Sequence, residues 1–226
     1  MAIWIIFGVF MLISWLISSR LKSKFEEYSQ ITLRSGLSGR DIAEKMLRDN
    51  NIYDVKIISV EGQLTDHYNP IDKTVNLSPD VYSGRSVTSA AIAAHECGHA
   101  VQHAQAYAFL QFRSALVPVI NISSRYMLWV LLGGILMLHV FPQLLLIGIL
   151  MFAATTLFSI ITLPVEFDAS ARALVWLNYS GITSGTEHDK AANGLRWAAS
   201  TYVVAALGSL ATLGYYIMIY MGGRRN

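Results

Sequence analysis

The chain has 226 residues, 54% of them hydrophobic and only 14% charged. A soluble domain carries about 25% charged residues, so the composition argues against an ordinary water-soluble globule. The net charge of +2 offers no nucleic-acid surface, and the lone Cys97 excludes an intrachain disulfide, which fits a reducing compartment.

The first element in the chain is an apolar run over residues 3–17. No basic residue precedes it, whereas Arg20, Lys22 and Lys24 follow it. That order suits an uncleaved membrane anchor with its N-terminus outside rather than a cleaved signal peptide. Ser38-Gly-Arg-Asp41 then reads as a capping box opening a helix, with Ile42, Met46 and Leu47 as its apolar stripe and Asn50-Asn51 as its stop. Val55, Ile57, Ile58 and Val60 form a strand pattern, followed by short strands over Leu64–Tyr68 and Thr74–Leu77. The last of these is expected to be a sheet edge, open to an extended peptide by main-chain pairing. Asp66 and His67 are adjacent on a strand and point to opposite faces, so they read as a solvated hairpin rather than a chelating pair.

The densest chemistry follows. Ala-rich sequence after the candidate N-caps Ser83, Ser86 and Thr88 leads into His95-Glu96-Cys97-Gly98-His99. On a helix, positions i and i+4 share a face, so His95 and His99 can address one metal ion. Glu96 lies about 100° further round, placed to act on a water rather than to bind the metal. This is the HExxH arrangement in which two histidines hold zinc and the glutamate is general base. Cys97 reads as a small packed residue. Gly98 costs about 1 kcal/mol in a helix and calls for a close neighbour.

Catalytic zinc needs a third protein ligand. A third histidine at the metzincin spacing is absent, because Gln102 and Gln105 stand where that pattern has Gly and His. His103, eight residues after His95, lies about 12 Å along the helix, too far to share the ion. Further along, residues 126–141 and 143–163 make two apolar runs joined by a turn at His139-Val-Phe-Pro142, the first long enough to span if it begins near Leu116. That extension places Arg125 toward the protein or the membrane interface. Glu166 follows at the end of the second run, in Leu163-Pro-Val-Glu-Phe-Asp-Ala-Ser170. An acid at the membrane boundary is costly unless paired or metal-bound, which makes Glu166 the leading third ligand. An acid in a first helical turn opened by Pro164 is the competing explanation. His188 is the backup ligand, or a hydrogen bonder to a transition state, and Asp168 is a candidate acceptor from a ligand histidine. The oxyanion stabiliser stays open among Tyr202, Arg172 and His188. A last apolar run covers 197–221.

Twelve of the 17 Lys and Arg residues lie between Arg20 and Arg125, and three more (Arg172, Lys190, Arg196) lie between the third and fourth runs. With four crossings both segments share one side, and the positive-inside rule makes it the cytoplasm. Both termini then lie outside, with Arg224-Arg225 the exception to the charge pattern.

Several stretches resemble the YugP-like membrane zinc metallopeptidases of bacteria: Ala94-His-Glu-Cys-Gly-His-Ala-Val-Gln-His103, Arg113-Ser-Ala-Leu-Val-Pro118, Leu163 to Ser170, and Ala199 to Ala206. The resemblance runs in order from about residue 25 onward and implies zinc, a bacterial membrane location and peptidase chemistry. A more distant likeness is to the HtpX-like membrane proteases, which take a later glutamate as third ligand and carry an aspartate four residues beyond it. Ser170 stands at that position here.

The expected protein is therefore an α+β membrane protein: about four transmembrane helices with a small zincin-like helix and sheet domain at the cytoplasmic face. Its parts are an anchor (1–18), the zincin-like domain (19–115), a transmembrane hairpin (116–163), the third-ligand segment and loop (164–197) and a last transmembrane helix with its tail (198–226). The expected activity is a zinc endopeptidase of the gluzincin type, with one Zn2+ on His95, His99 and Glu166, and Glu96 as base. Its expected partners are a peptide or membrane-protein substrate and the lipid bilayer. A zinc-binding membrane scaffold without turnover is the alternative. Transport is disfavoured, because the spans carry few ionisable residues.

Overall fold

The computed structural model describes residues 2–62 and 65–223. Leu64, the expected start of the second strand, and Arg224-Arg225 lie outside the described residues. The elements in chain order are α1 (Ala2–Ser29), α2 (Gly39–Asp49), β1 (Lys56–Ser59), β2 (His67–Asn69), β3 (Thr74–Leu77), α3 (Pro79–Tyr82), α4 (Val87–Ala104), α5 (Ala108–Leu136), α6 (Pro142–Tyr179) and α7 (Thr186–Gly223). They divide into two compact units. One holds residues 17–110 and 164–200, the other residues 1–16, 111–163 and 201–226.

In the first unit α4 is the hub. Fifteen of its 18 residues are buried, which marks a helix surrounded by protein rather than an amphipathic one. Its small residues, Ala90, Ala91, Ala93 and Ala94, let neighbours approach. Ser86 caps it, accepting from the Ser89 N–H at 3.1 Å. Against it lies α2, burying Ile42, Ala43, Met46 and Leu47. The capping box of α2 is complete: Ser38 accepts from the Asp41 N–H, and the Asp41 carboxylate accepts from the Ser38 N–H at 3.0 Å. Asn50 closes the helix, and Asn51 takes a left-handed conformation (φ 58°) just beyond it.

The three-stranded sheet has the order β1-β3-β2. β3 is therefore the central strand, and the sequence-based expectation of an edge at Thr74–Leu77 is wrong. It pairs parallel to β1, with Val75 opposite Ile57, and antiparallel to β2, with Val75 opposite Tyr68. Both hydrogen-bonding sides are occupied, and Val75 and Leu77 are fully buried. A strand four residues long shows its buried face in sequence but not which side a non-adjacent strand will take. Asp66 is also more than a solvated hairpin residue. Its carboxylate accepts from the Ser78 N–H at 2.7 Å and from the Ser78 hydroxyl, tying β2 to the turn before α3.

In the second unit, helix packing uses small residues. A Cβ on Gly134 of α5 would lie 2.6 Å from the Leu145 nitrogen of α6, and one on Gly148 would lie 2.7 Å from a Leu131 methyl. The Thr156 and Ser209 hydroxyls bond at 2.7 Å between α6 and α7, and Gly208 of α7 receives the Phe10 ring of α1. Close approach and interhelical hydroxyl bonds hold helices together where lipid removes the hydrophobic drive. Large apolar side chains such as Trp4, Trp129 and Leu150 face outward. Arg125 lies on the exposed side of α5 rather than against its helix neighbours.

Among the described residues, four helices are long and apolar enough to cross a membrane: Ile3–Ser29, Ala108–Leu136, Pro142–Tyr179 and Thr186–Gly222. α6 passes through Pro164 without ending, so Glu166 sits in a helix interior and not in a first turn. That removes the helix-start explanation for its position.

Candidate metal centre

His95 and His99 stand one turn apart on α4, their rings edge to face with centroids 4.8 Å apart. Glu166 reaches them from α6. Its Oε2 lies 3.4 Å from His95 Nε2 and 3.6 Å from His99 Nε2. One ligand atom from each of the three residues lies within 4.8 Å of the others. Those separations exceed a good N–H···O bond. They match two ligands on one tetrahedral ion, where metal–ligand bonds near 2.0–2.1 Å set neighbouring donors about 3.3 Å apart. Two imidazoles and a carboxylate are also the donor set of a catalytic rather than a structural zinc site.

Gly98 explains how α6 comes so near. A Cβ on Gly98 would fall 2.6 Å from the Ala169 carbonyl oxygen and 3.1 Å from its Cα. The backbones of α4 and α6 therefore meet between the two histidines, and Glu166, one turn before Ser170, is carried over their Nε2 atoms. Gly98→Ala gains about 1 kcal/mol of helix propensity but drives a methyl into backbone that cannot rotate away. Overpacking of this kind costs roughly 1–3 kcal/mol. The expected result is a lower melting temperature in detergent and weaker zinc retention than wild type, read by thermal scanning and metal analysis.

The other ring nitrogens are also engaged. His99 Nδ1 lies 3.0 Å from Gln102 Oε1, and His95 Nδ1 lies 3.1 Å from the Ser170 hydroxyl. Gln102 donates to the Val165 carbonyl at 2.7 Å and to Asp168 Oδ2 at 2.8 Å. Asp168 in turn accepts from Arg172 Nε, and Arg172 Nη1 donates to Gln105. Asp168 thus reaches the ligand histidine through Gln102 and not directly. Neither Gln102 nor Ser170 is singled out as a partner by sequence reading, although each has a periodic signal. Gln102 is three residues from His99, and Ser170 is four from Glu166, each pair sharing a helix face.

Burial disfavours a charged His99, but the Glu166 carboxylate, the Glu96 charge and Gln102 outweigh it and lift its pKa above the ordinary histidine value. A cation held by His95, His99 and Glu166 would take the place of that proton. Glu96 is 8% exposed and stands outside the three-ligand set. His188 is not in that set either. Its Nδ1 lies 3.2 Å from the Thr183 hydroxyl in the turn before α7. Arg172 is committed to Asp168 and Gln105, and Tyr202 belongs to the other unit. His103, excluded as a ligand by distance, meets the Tyr68 hydroxyl at 2.8 Å.

Cys97 is fully buried, with its Sγ 3.7 Å from the Ala43 carbonyl. Burial first, and the Glu96 charge second, push its thiol far above the ordinary range. Iodoacetamide is therefore expected to leave the folded protein unlabelled at about pH 8 and to label it once after denaturation, as read by intact mass.

A helix carrying His-Glu-Cys-Gly-His, with a buried glutamate brought over both imidazoles, has the donor arrangement of a candidate HExxH metal site. The sequence profile of a family described as "Putative neutral zinc metallopeptidase" matches residues 3–221. The chain belongs to this zinc metallopeptidase family. A relative from Bacillus subtilis (strain 168), described as "Putative membrane protease YugP", is 42% identical over 205 residues, covering 91% of this chain and 90% of that protein. No solved structure matches the chain. With its four long apolar helices, the chain is a membrane protein.

Proposed function

We propose that the protein is a membrane-embedded endopeptidase of the gluzincin type that hydrolyses peptide bonds with one zinc ion per chain. The observation that carries this reading is the placing of Glu166 Oε2 at 3.4 and 3.6 Å from the two Nε2 atoms of the HExxH histidines. His95, His99 and Glu166 would hold the ion. Zinc in such a site polarises the scissile carbonyl and lowers the pKa of a water toward about 7. Glu96, on the same helix and directly after His95, takes the proton from the attacking water and delivers it to the leaving amine. Its burial keeps the carboxylate out of bulk solvent, where the proton would be lost. The excess of Lys and Arg around the HExxH segment supports a site on the cytoplasmic side of a bacterial cell membrane, with both termini outside. There it would meet membrane-protein loops or unfolded segments as substrates.

The test is hydrolysis of casein and of a membrane-protein substrate by detergent-purified protein. Chelation is expected to abolish cleavage, and one equivalent of Zn2+ per chain to restore it. Protein that binds one zinc but cleaves nothing would leave a zinc-holding scaffold instead.

A further inference from the structure

The two histidines of the centre are held differently. We propose that Gln102 is a positioning residue that locks His99 in a single tautomer, with the proton on Nδ1 and the lone pair on Nε2, while His95 has no such lock. The proposal rests on the metal reading above only for its consequence, not for its geometry.

The argument is one of donor and acceptor bookkeeping. The Gln102 amide is fully buried. Its nitrogen faces two groups, the Val165 carbonyl at 2.7 Å and Asp168 Oδ2 at 2.8 Å. A carbonyl oxygen and an ionised carboxylate only accept, so both must be met by N–H groups, and an amide nitrogen has two. Turning the amide over would set its oxygen against two acceptor oxygens at 2.7 and 2.8 Å, with no hydrogen between either pair. The amide is therefore fixed, with Oε1 toward His99 Nδ1 at 3.0 Å. That oxygen also only accepts, so His99 Nδ1 must carry the hydrogen. Nε2, the atom 3.6 Å from Glu166 Oε2, then presents a lone pair in the neutral ring. Arg172 meets the chain at its far end, where its Nε–H donates to the same Asp168 Oδ2 that accepts from Gln102.

His95 differs. Its Nδ1 meets the Ser170 hydroxyl, which can donate or accept. That contact orients the ring without deciding where the proton sits. Zinc affinity should therefore depend more on Gln102 than on Ser170.

The primary readout is the 15N shift of the His99 ring in zinc-free protein, followed upward in pH until the ring has lost its second proton. The resonance is identified by its loss in His99→Asn. Wild type is expected to show protonated Nδ1 and bare Nε2, and Gln102→Leu a mixture of tautomers. Zinc affinity, read by competition with a chelating dye, is expected to fall about 10–100-fold in Gln102→Leu, and less in Ser170→Ala. A polarity swap separates bond direction from packing. Gln102→Glu alone puts a carboxylate against Asp168 and should weaken zinc further. Adding Asp168→Asn replaces that repulsion with an N–H donated toward residue 102, leaving the other Glu oxygen to accept from His99 Nδ1 and recovering part of the affinity. A wild-type His99 protonated on Nε2, a Gln102→Leu protein with unchanged tautomer and affinity, or a swap with no recovery overturns the proposal. So does a loss in Ser170→Ala equal to that in Gln102→Leu. The zinc-free spectrum stands apart from turnover: a protein with the expected tautomer but no peptidase activity would remove the proposed function and leave this inference in place.

Discussion

Glu96→Gln is expected to keep a full zinc complement and to lose hydrolysis, by at least the roughly 10²–10⁴-fold that a general base contributes. The substitution is nearly isosteric at a side chain 8% exposed, so the packing of α4 should survive. The three candidate ligands, His95, His99 and Glu166, are untouched. What disappears is a carboxylate able to accept the water's proton, since an amide nitrogen cannot. Metal analysis beside a casein assay reads both halves. Retained turnover would refute the general-base role, whereas loss of zinc together with activity would show that Glu96 serves the centre's assembly instead.

Glu166→Ala should act on the other half, emptying the site of tightly held zinc. Two imidazoles would remain, and the third donor and the negative charge that offsets the cation would be gone. The loss in affinity should exceed the roughly 10–100-fold typical of outer partners such as Gln102. His188→Ala is the matched control. Its ring bonds the Thr183 hydroxyl beside α7, so zinc content should stay at the wild-type level. Equal loss in both variants, read by competition with a chelating dye, would return His188 to the candidate ligands.

Features with a short period were legible in the sequence. The i, i+4 histidines, the Ser38–Asp41 capping box and the apolar runs each declare themselves within a few residues, and α2 and the four long helices follow that pattern. Glu166 was legible for a different reason: an acid beside an apolar run is costly enough to need a partner. The remaining features depend on distant contacts. β3 lies between its neighbours because β1 joins it across a crossover, and nothing within Thr74–Leu77 encodes that. Gln102 looks like a polar residue near the end of a helix until Val165 and Asp168, more than 60 residues away, turn it into a fixed donor. Pro164 suggested a boundary, yet α6 carries it in its interior. Its φ near −65° suits a helix, and packing outweighed the missing N–H.

The separation of Glu166 from the two imidazoles along the chain has a consequence for biosynthesis. His99 leaves the ribosome 67 residues before Glu166 does. At about 5–20 residues per second that interval is roughly 3 to 13 s, during which the nascent polypeptide holds an incomplete set of donors. The missing carboxylate arrives on α6, behind the hydrophobic stretch that begins at Pro142. A three-donor centre can therefore close only after that stretch has been translated, and metal capture by the full set belongs to the end of synthesis rather than its start.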